Sequence, residues 1–225
     1  MPARVPATRT VWAAGAAGRI EVLLDEPVGV PRGVGIVAHP QPLLGASARH
    51  KVPHVLAHAL RDQGWLALRP NFRGVGASEG VHDHGSGEAD DLVGLARQAR
   101  RDHPGLPLAL MGFSFGAYVQ SHVAARLAAG GEPARHVLLA GMPVGQVRGW
   151  RDYDPAPVEH AWLVHGELDD RASLQELLGP ILLYGTEQGW EHLDSRPLSD
   201  EEYEQVVEAL PGIVAELARY FGEQD

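Results

Sequence analysis

The chain has 225 residues, of which 44% are apolar, and it carries a formal charge of −10. An acidic chain of this length can bury one good-sized core, so we expect a single domain over residues 1–225 and neither nucleic acid nor an anionic membrane as its main partner. The absence of cysteine excludes a disulfide framework, a thiolate metal site and a thiol nucleophile. Residues 1–20 contain no apolar segment long enough for a signal peptide or a membrane span, which predicts a cytoplasmic protein.

The first third of the chain predicts strands followed by one helix. Residues 8–13 and 19–24 predict a hairpin, and the second of these strands alternates in polarity as a half-exposed edge strand does. The apolar run at 33–40 predicts a strand that is buried on both faces of a parallel sheet. Apolar residues at helical spacing from Val52 to Leu60 predict a helix, and residues 64–72 predict the next strand.

Strands and helices continue to alternate after this point, which predicts a mostly parallel, doubly wound sheet. The predicted elements are a glycine-rich surface loop (73–87), a helix (88–101), a strand (106–111), a helix (116–127), a strand (134–144), an irregular connection (145–157), a strand with an acidic tip (161–170), a short helix (173–178), a last strand (181–185), and a terminal helix that begins with a capping box of Ser199 and Glu202 and is kinked at Pro211.

The segment Gly112-Phe113-Ser114-Phe115-Gly116 lies between a predicted strand and a predicted helix. A G-x-S-x-G sequence in that context is typical of a nucleophile elbow, in which a sharp turn exposes a serine hydroxyl above the edge of a sheet. Such a turn leaves no room for Cβ atoms at the two glycines. Ser114 is therefore the predicted nucleophile, and the alternative is an inert serine in a glycine-flanked turn.

Four segments together resemble the α/β-hydrolase superfamily, and the similarity extends over nearly the whole chain. It is greatest to a small, nearly lidless branch of serine hydrolases with an H-P-x-P loop after an early strand. This resemblance implies an α/β-hydrolase fold with about eight strands, helices on both faces and a minimal cap. The segments are His39 to Gly45 (HPQPLLG), Asn71 to Ser78 (NFRGVGAS), Gly112 to Gly116 (GFSFG) and His165 to Asp169 (HGELD).

A serine nucleophile needs a histidine base and an acid that orients the histidine. In this fold the chain order is serine, acid, histidine. Asp169 matches the family position of the acid, and Asp170 and Glu167 are the alternatives.

His192 is the only histidine after Asp169, and we take it as the base. Relatives that resemble this chain carry histidine four positions earlier, where this sequence has Gln188. If the loop cannot absorb that displacement, the triad is incomplete and the protein is a non-catalytic ligand-binding or scaffold protein of the same fold.

The tetrahedral intermediate of acyl transfer needs an oxyanion hole. Its first predicted donor is the backbone N–H of Phe115, the residue after the nucleophile. Pro40 and Pro42 have no N–H, so Gln41 is the predicted second donor and Leu43 is the fallback.

These residues predict a serine hydrolase that cleaves short-chain carboxylic esters or thioesters through an acyl-enzyme, with a small-molecule acyl substrate. The alternative within enzymes is an amidase or acyl transferase that uses the same residues. We expect no cofactor and no metal, because His82 and His84 lack a convincing third ligand. Trp150, Tyr153 and Trp190 are aromatic residues that could border an acyl pocket. The sequence does not predict the oligomeric state.

Overall fold

The computed structural model of the chain describes residues 8–147, 151–164 and the backbone of 181–183. The described helices are α1 (Lys51–Asp62), α2 (Ser86–Asp102) and α3 (Phe115–Ala129), with a 3-10 turn at Pro42–Leu44. The described strands are β1 (Thr8–Gly15), β2 (Gly18–Asp25), β3 (Gly33–Ala38), β4 (Trp65–Pro70), β5 (Leu108–Phe113), β6 (His136–Ala140), β7 (Gly145–Val147), β8 (Arg151–Tyr153), β9 (Val158–Val164) and β10 (Ile181–Leu183).

Eight of the described strands form one sheet in the order β1-β2-β4-β3-β5-β6-β9-β10. The β1–β2 and β2–β4 pairs are antiparallel, and every other neighbouring pair is parallel. Strands β3 and β4 are buried along their whole length, as expected for apolar strands in the middle of a parallel sheet. The predicted α/β-hydrolase fold, with its mostly parallel, doubly wound sheet, is confirmed.

Helices cover both faces of the sheet. Successive side chains of a strand point to opposite faces. Ile36 accordingly packs in one cluster with Leu92 of α2 and Val123 of α3, whereas its neighbour Val37 packs in a second cluster with Leu56 of α1. The apolar residues of the central strands are therefore buried under a helix on one side or the other. No helix within residues 8–147 or 151–164 has the length and apolarity to cross a bilayer.

Helix α1 forms where the apolar spacing predicts it. Val52, Leu56 and Leu60 recur every four residues and are all buried against the sheet. Pro53 lies in the first turn, where its missing N–H costs no hydrogen bond. Gly64 follows the helix with a φ of +86°, a left-handed conformation that favours glycine.

The edge of the sheet differs from the prediction, because β1 is the outer strand and β2 pairs on both sides. The polar residues of β2 bind a neighbouring loop. Glu21 accepts hydrogen bonds from Asn71 Nδ2 and from the Ala77 N–H at 2.8 and 2.9 Å. Arg19 pairs with Glu79 at 3.2 Å. The alternating polarity of β2 thus reflects contacts with residues 71–79 and does not mark a strand at the edge.

Residues 145–157 also differ from the predicted irregular connection. Strands β7 and β8 pair antiparallel as a small separate hairpin, with Gly145 opposite Tyr153. Strands of three residues are too short for their sequence periodicity to be recognised.

A buried ion pair joins β2 and β4. Arg69 Nε and Nη2 donate to the two carboxylate oxygens of Asp25 at 2.8 and 3.1 Å, and both side chains are 2% exposed or less. Arg69 Nη1 donates to the carbonyl of Ala48 at 3.1 Å, and the Thr8 hydroxyl donates to Asp25. The pair therefore has hydrogen-bond partners on both sides, which offsets the cost of burying two charges.

Several predicted elements lie outside the described residues. These are the helix at 173–178, the terminal helix with its capping box of Ser199 and Glu202, and the kink at Pro211.

Candidate active site

Ser114 occupies a turn between β5 and α3. Its backbone has a φ of +55° and a ψ of −123°, which serine rarely adopts. A backbone in such a region costs about 1–3 kcal/mol and persists only where the surrounding structure fixes it. The turn follows the carboxyl end of β5, the edge at which open α/β sheets place their binding sites.

The two glycines of the turn are required by close backbone contacts. A Cβ on Gly112 would lie 2.3 Å from the carbonyl oxygen of Gly116. A Cβ on Gly116 would lie 2.4 Å from the carbonyl oxygen of Ala38 and 2.6 Å from that of His39. The predicted steric reason for both glycines is confirmed. The second contact also shows that the first turn of α3 lies directly against the chain that leaves β3.

The first turn of α3 presents free hydrogen-bond donors beside Ser114. Among the described residues, none accepts a hydrogen bond from the backbone N–H of Phe115 or Gly116. These groups are the unsatisfied donors at a helix N-terminus, where the aligned peptide dipoles also place partial positive charge. The turn can therefore stabilise negative charge that develops close to the serine hydroxyl.

The loop after β3 contains the predicted second donor. The Leu43 N–H donates to Gln41 Oε1 at 3.3 Å, so the fallback donor is engaged within the protein. The Gln41 N–H has no acceptor among the described residues. This difference favours Gln41 over Leu43, and the assignment of an oxyanion role remains a prediction.

His39 fastens this loop to the end of β4. The imidazole is fully buried, Nδ1 donates to the Pro40 carbonyl at 2.7 Å, and Nε2 accepts from the Phe72 N–H at 3.1 Å. Burial lowers the pKa of His39 to about 4, so the ring is neutral near pH 7. Both ring nitrogens have partners within the fold, which makes His39 a structural residue of the loop.

The glycine-rich loop before α2 is anchored by a second ion pair. Arg73 Nε donates to Asp91 at 2.8 Å and Nη2 donates to the Gly87 carbonyl at 2.7 Å. The hydrogen bond to Asp91 is the main reason that the pKa of Arg73 is raised. Asp91 also accepts from the Ala16 N–H at 2.7 Å. Asp91 therefore ties the loop to the turn between β1 and β2.

His82 and His84 lie on the same loop. His82 Nδ1 is 2.8 Å from Glu88 Oε1, an ion-pair distance without hydrogen-bond geometry. Glu88 instead accepts hydrogen bonds from the Asp83 and Gly85 N–H groups at 2.9 Å. In residues 8–147 and 151–164, no three His, Asp or Glu side chains converge as metal ligands.

Tyr153 reaches the loop after β3 from the β7–β8 hairpin. Its hydroxyl accepts a hydrogen bond from Gln41 Nε2 at 3.1 Å, and its ring packs edge-on against Phe115 and Tyr118. Sequence reasoning suggested only that Tyr153 could border a pocket. No local pattern identifies this contact, because the two residues are 112 positions apart.

The predicted acid Asp169 and base His192 lie outside the described residues, as do Trp150 and Trp190. The strands that precede them are described. Asp169 follows β9 and His192 follows β10, and both strands belong to the parallel part of the sheet that contains β5. Parallel strands end at a common edge, so β9 and β10 end at the edge where Ser114 lies.

Comparison with known families gives one match over residues 46–164, more than half of the chain. The matching family model is Hydrolase_4, described as serine aminopeptidase, S33. The matched residues run from the segment before α1 to the end of β9 and include the Ser114 turn. The match therefore covers the part of the fold on which the candidate nucleophile is built.

Known proteins of similar length resemble the whole chain. A crystal structure of a lidless α/β serine hydrolase from Xanthomonas campestris is 28% identical, covers 98% of both chains and superposes with a TM-score of 0.75. An α/β serine hydrolase homologue from Coxiella burnetii is 25% identical, with 95% of this chain and 98% of that chain covered and a TM-score of 0.70. An uncharacterized protein of Rickettsia prowazekii is 26% identical over 84% of this chain and 79% of its own length. The chain therefore belongs to the α/β-hydrolase superfamily and, within it, to the small lidless branch of serine hydrolases.

Proposed function

We propose that this serine hydrolase cleaves short-chain carboxylic esters or thioesters through an acyl-enzyme formed on Ser114. The observation that carries the proposal is the backbone of Ser114, held at a φ of +55° between two glycines where an added Cβ would lie 2.3 or 2.4 Å from a backbone oxygen. A turn of this kind exposes the serine hydroxyl beside the N-terminus of α3, where a nucleophile and its oxyanion donors are needed together.

The proposed reaction has two halves. Ser114 Oγ attacks the carbonyl carbon of the substrate, and its proton passes to His192, which Asp169 orients. The tetrahedral intermediate then expels the alcohol or thiol, which takes the proton from His192. Water, deprotonated by the same histidine, attacks the acyl-enzyme, and the second tetrahedral intermediate breaks its bond to Ser114 Oγ. The serine oxygen takes the proton back from His192 as the carboxylic acid leaves. No cofactor enters this sequence.

The proposed oxyanion hole consists of the backbone N–H groups of Phe115 and Gln41. One support is that neither N–H donates a hydrogen bond to another described residue. The other is the close approach of Gly116 to the Ala38 and His39 carbonyls, which holds the two donor segments together. Loss of one such donor typically costs about 3 to 4 kcal/mol of transition-state stabilisation.

A preference for short acyl groups follows from the minimal cap that we propose. Between β6 and β9, the residues that the structure describes form the small β7–β8 hairpin, and the related Xanthomonas protein is described as lidless. Long acyl chains need an enclosing apolar wall to gain binding energy. We therefore expect kcat/KM to fall from acetyl and butyryl esters to long-chain esters.

An amidase activity at the same residues is the second candidate. The specific observation in its favour is the family model, whose description names a serine aminopeptidase. Amide and ester hydrolysis share the nucleophile, base and oxyanion donors, so the two candidates differ in the leaving group that the site accepts.

A fluorophosphonate probe tests the proposed function, because it modifies only a serine that a base has activated. We expect stoichiometric labelling at Ser114, loss of labelling in Ser114→Ala, and hydrolysis of p-nitrophenyl acetate by the wild type alone. Ser121 offers a matched control, since it lies on α3 and its hydroxyl donates to the Tyr118 carbonyl at 2.7 Å. Ser121→Ala should still be labelled. A wild-type protein that resists the probe and hydrolyses neither esters nor amides would support the non-catalytic alternative that Gln188 raises.

A further inference from the structure

The side chain of Gln41 is held at both ends inside the protein. Its Nε2 donates to the Tyr153 hydroxyl at 3.1 Å, and its Oε1 accepts from the Leu43 N–H at 3.3 Å. Gln41 is 5% exposed and Tyr153 is 6% exposed, so water does not compete effectively for these bonds. The orientation of the Gln41 amide is therefore fixed by Tyr153.

Tyr153 is in turn held by α3, the helix that follows Ser114. Its ring centroid lies 5.1 Å from that of Tyr118. Beyond Tyr153, the carbonyl of Asp154 accepts from His122 Nε2 at 3.1 Å, and the Ala156 N–H donates to Ser121 Oγ at 3.1 Å. The hydroxyl of Tyr153 thus has a position fixed relative to the helix that carries the nucleophile turn.

We propose that Tyr153 is a positioning residue for the oxyanion loop. Its hydroxyl holds the Gln41 side chain, which takes up the Leu43 N–H and leaves the Gln41 N–H as the donor available to a substrate oxygen. This inference rests on the proposed function. The contact between Tyr153 and Gln41 links the two donor segments through the β7–β8 hairpin.

Tyr153→Phe removes the hydroxyl and keeps the ring that packs on Tyr118 and Phe115. The Gln41 amide then loses its partner, and the loop can move away from the geometry that the oxyanion requires. We expect kcat for p-nitrophenyl acetate to fall about tenfold and KM to change less than about twofold, since the lost interaction acts in the transition state. Tyr118→Phe is the matched control. It removes a neighbouring hydroxyl that makes no bond to Gln41, and kcat should be unchanged.

Two further measurements separate positioning from a general loss of structure. Active-site titration with the fluorophosphonate counts competent serines, so kcat per titrated site must fall in Tyr153→Phe, whereas partial misfolding would lower the count alone. In a Gln41→Met background the backbone N–H remains but the amide is gone. Tyr153→Phe should then have no additional effect on kcat, because residues that act through one another are not additive.

Amide hydrogen exchange at Leu43 tests the contact without reference to activity. Exchange should become about tenfold faster in Tyr153→Phe and stay unchanged in Tyr118→Phe, since Gln41 Oε1 is the acceptor for that N–H. An active wild type whose kcat per site and Leu43 exchange are both unaffected by Tyr153→Phe would overturn the positioning role alone. A wild type without hydrolase activity would overturn the proposed function and, with it, the catalytic meaning of this contact.

Discussion

The two N–H groups proposed for the oxyanion hole are held in different ways. Phe115 belongs to a helix, and its position is set by close backbone contacts of the turn from Gly112 to Gly116, both within the turn and with the chain that leaves β3. Gln41 lies on a loop, and its position is set by side-chain hydrogen bonds to distant parts of the chain, between His39 and the segment after β4 and between Gln41 itself and Tyr153 on β8. One donor therefore depends on the steric fit of backbone segments, and the other depends on hydrogen-bonded side chains that single substitutions can remove.

The largest expected effect comes from replacing the proposed base, without which neither donor can support catalysis. His192→Ala should lower kcat by about a millionfold, as much as Ser114→Ala, because members of a triad act as one unit. Steady-state assays with p-nitrophenyl acetate measure the loss. His103→Ala is the control, since His103 precedes β5 and lies at the opposite edge of the sheet. Full activity in His192→Ala would reject the proposed triad and leave the fold assignment intact.

The steric fit of the nucleophile turn should be sensitive to a single methyl group. Gly116→Ala places a Cβ 2.4 Å from the Ala38 carbonyl oxygen, which must push α3 away from β3. We expect a loss of about 3 kcal/mol in unfolding free energy, the upper end for overpacking, together with a large drop in kcat.

Gly94 provides the matched control for that substitution. It lies within α2, and its nearest neighbour would be 3.7 Å from an added Cβ. Gly94→Ala should stabilise the protein by about 0.5–1 kcal/mol through helix propensity. Urea unfolding measures both variants, and equal effects of the two substitutions would contradict the steric argument.

The stability that His39 contributes at the Gln41 loop should depend on pH. Burial holds the pKa of His39 at about 4, whereas an unfolded histidine titrates near 6.5. Between these values the unfolded chain binds more protons than the native protein, so the contribution of His39 is complete above pH 6.5 and is lost as the pH falls toward 4. The loss should be about 2 kcal/mol between pH 7 and pH 5.

His39→Gln retains polar groups but cannot titrate. Urea unfolding of both proteins across this range isolates the His39 contribution from those of the other histidines whose pKa is lowered by burial, which are His50, His54, His58 and His122. Stability curves that run parallel for the two proteins would show that His39 does not titrate in this way.

The smallest expected effect is a gain in stability at the nucleophile itself. Ser114→Gly should raise the unfolding free energy by about 1 kcal/mol, because glycine adopts a φ of +55° without the steric cost that serine bears. Ser114→Ala keeps the Cβ and should leave the melting temperature nearly unchanged. Calorimetry distinguishes the two variants. Equal melting temperatures would show that the φ of residue 114 imposes no steric cost that glycine relieves.

The part of the site that the sequence predicts is the part made of neighbouring residues. Gly112, Ser114 and Gly116 interact within one turn, so their spacing alone indicates the turn and its steric limits. The apolar runs of β3 and β4 likewise indicate buried strands from their own composition. In the family comparison, the order of the motifs along the chain sufficed to identify the superfamily.

The unpredicted features depend on contacts between residues that are far apart in the chain. The polarity of Glu21 indicated an edge strand, but its partners are Asn71 and Ala77 on a loop that follows a different strand. The contact between Gln41 and Tyr153 spans 112 positions. Periodicity describes the faces of one element, and it contains no information on which side chains of two elements meet.

The buried pair of Arg69 and Asp25 has a consequence for how the protein opens. An outer hairpin normally detaches from a sheet in small, frequent fluctuations that leave the rest intact. Here detachment of β1 and β2 would leave the Arg69 guanidinium in the interior without its counter-charge, at a cost of about 3–5 kcal/mol. This cost is a large share of the roughly 5–15 kcal/mol by which a folded domain is typically stable. The hairpin and the strands that carry the nucleophile should therefore separate only in one cooperative event, with the amides of β2 exchanging as slowly as those of β5. In limited proteolysis of the native protein, the β1–β2 hairpin would then not be cleaved before the rest of the sheet, and it would be cleaved at the same rate as the strands that carry the nucleophile.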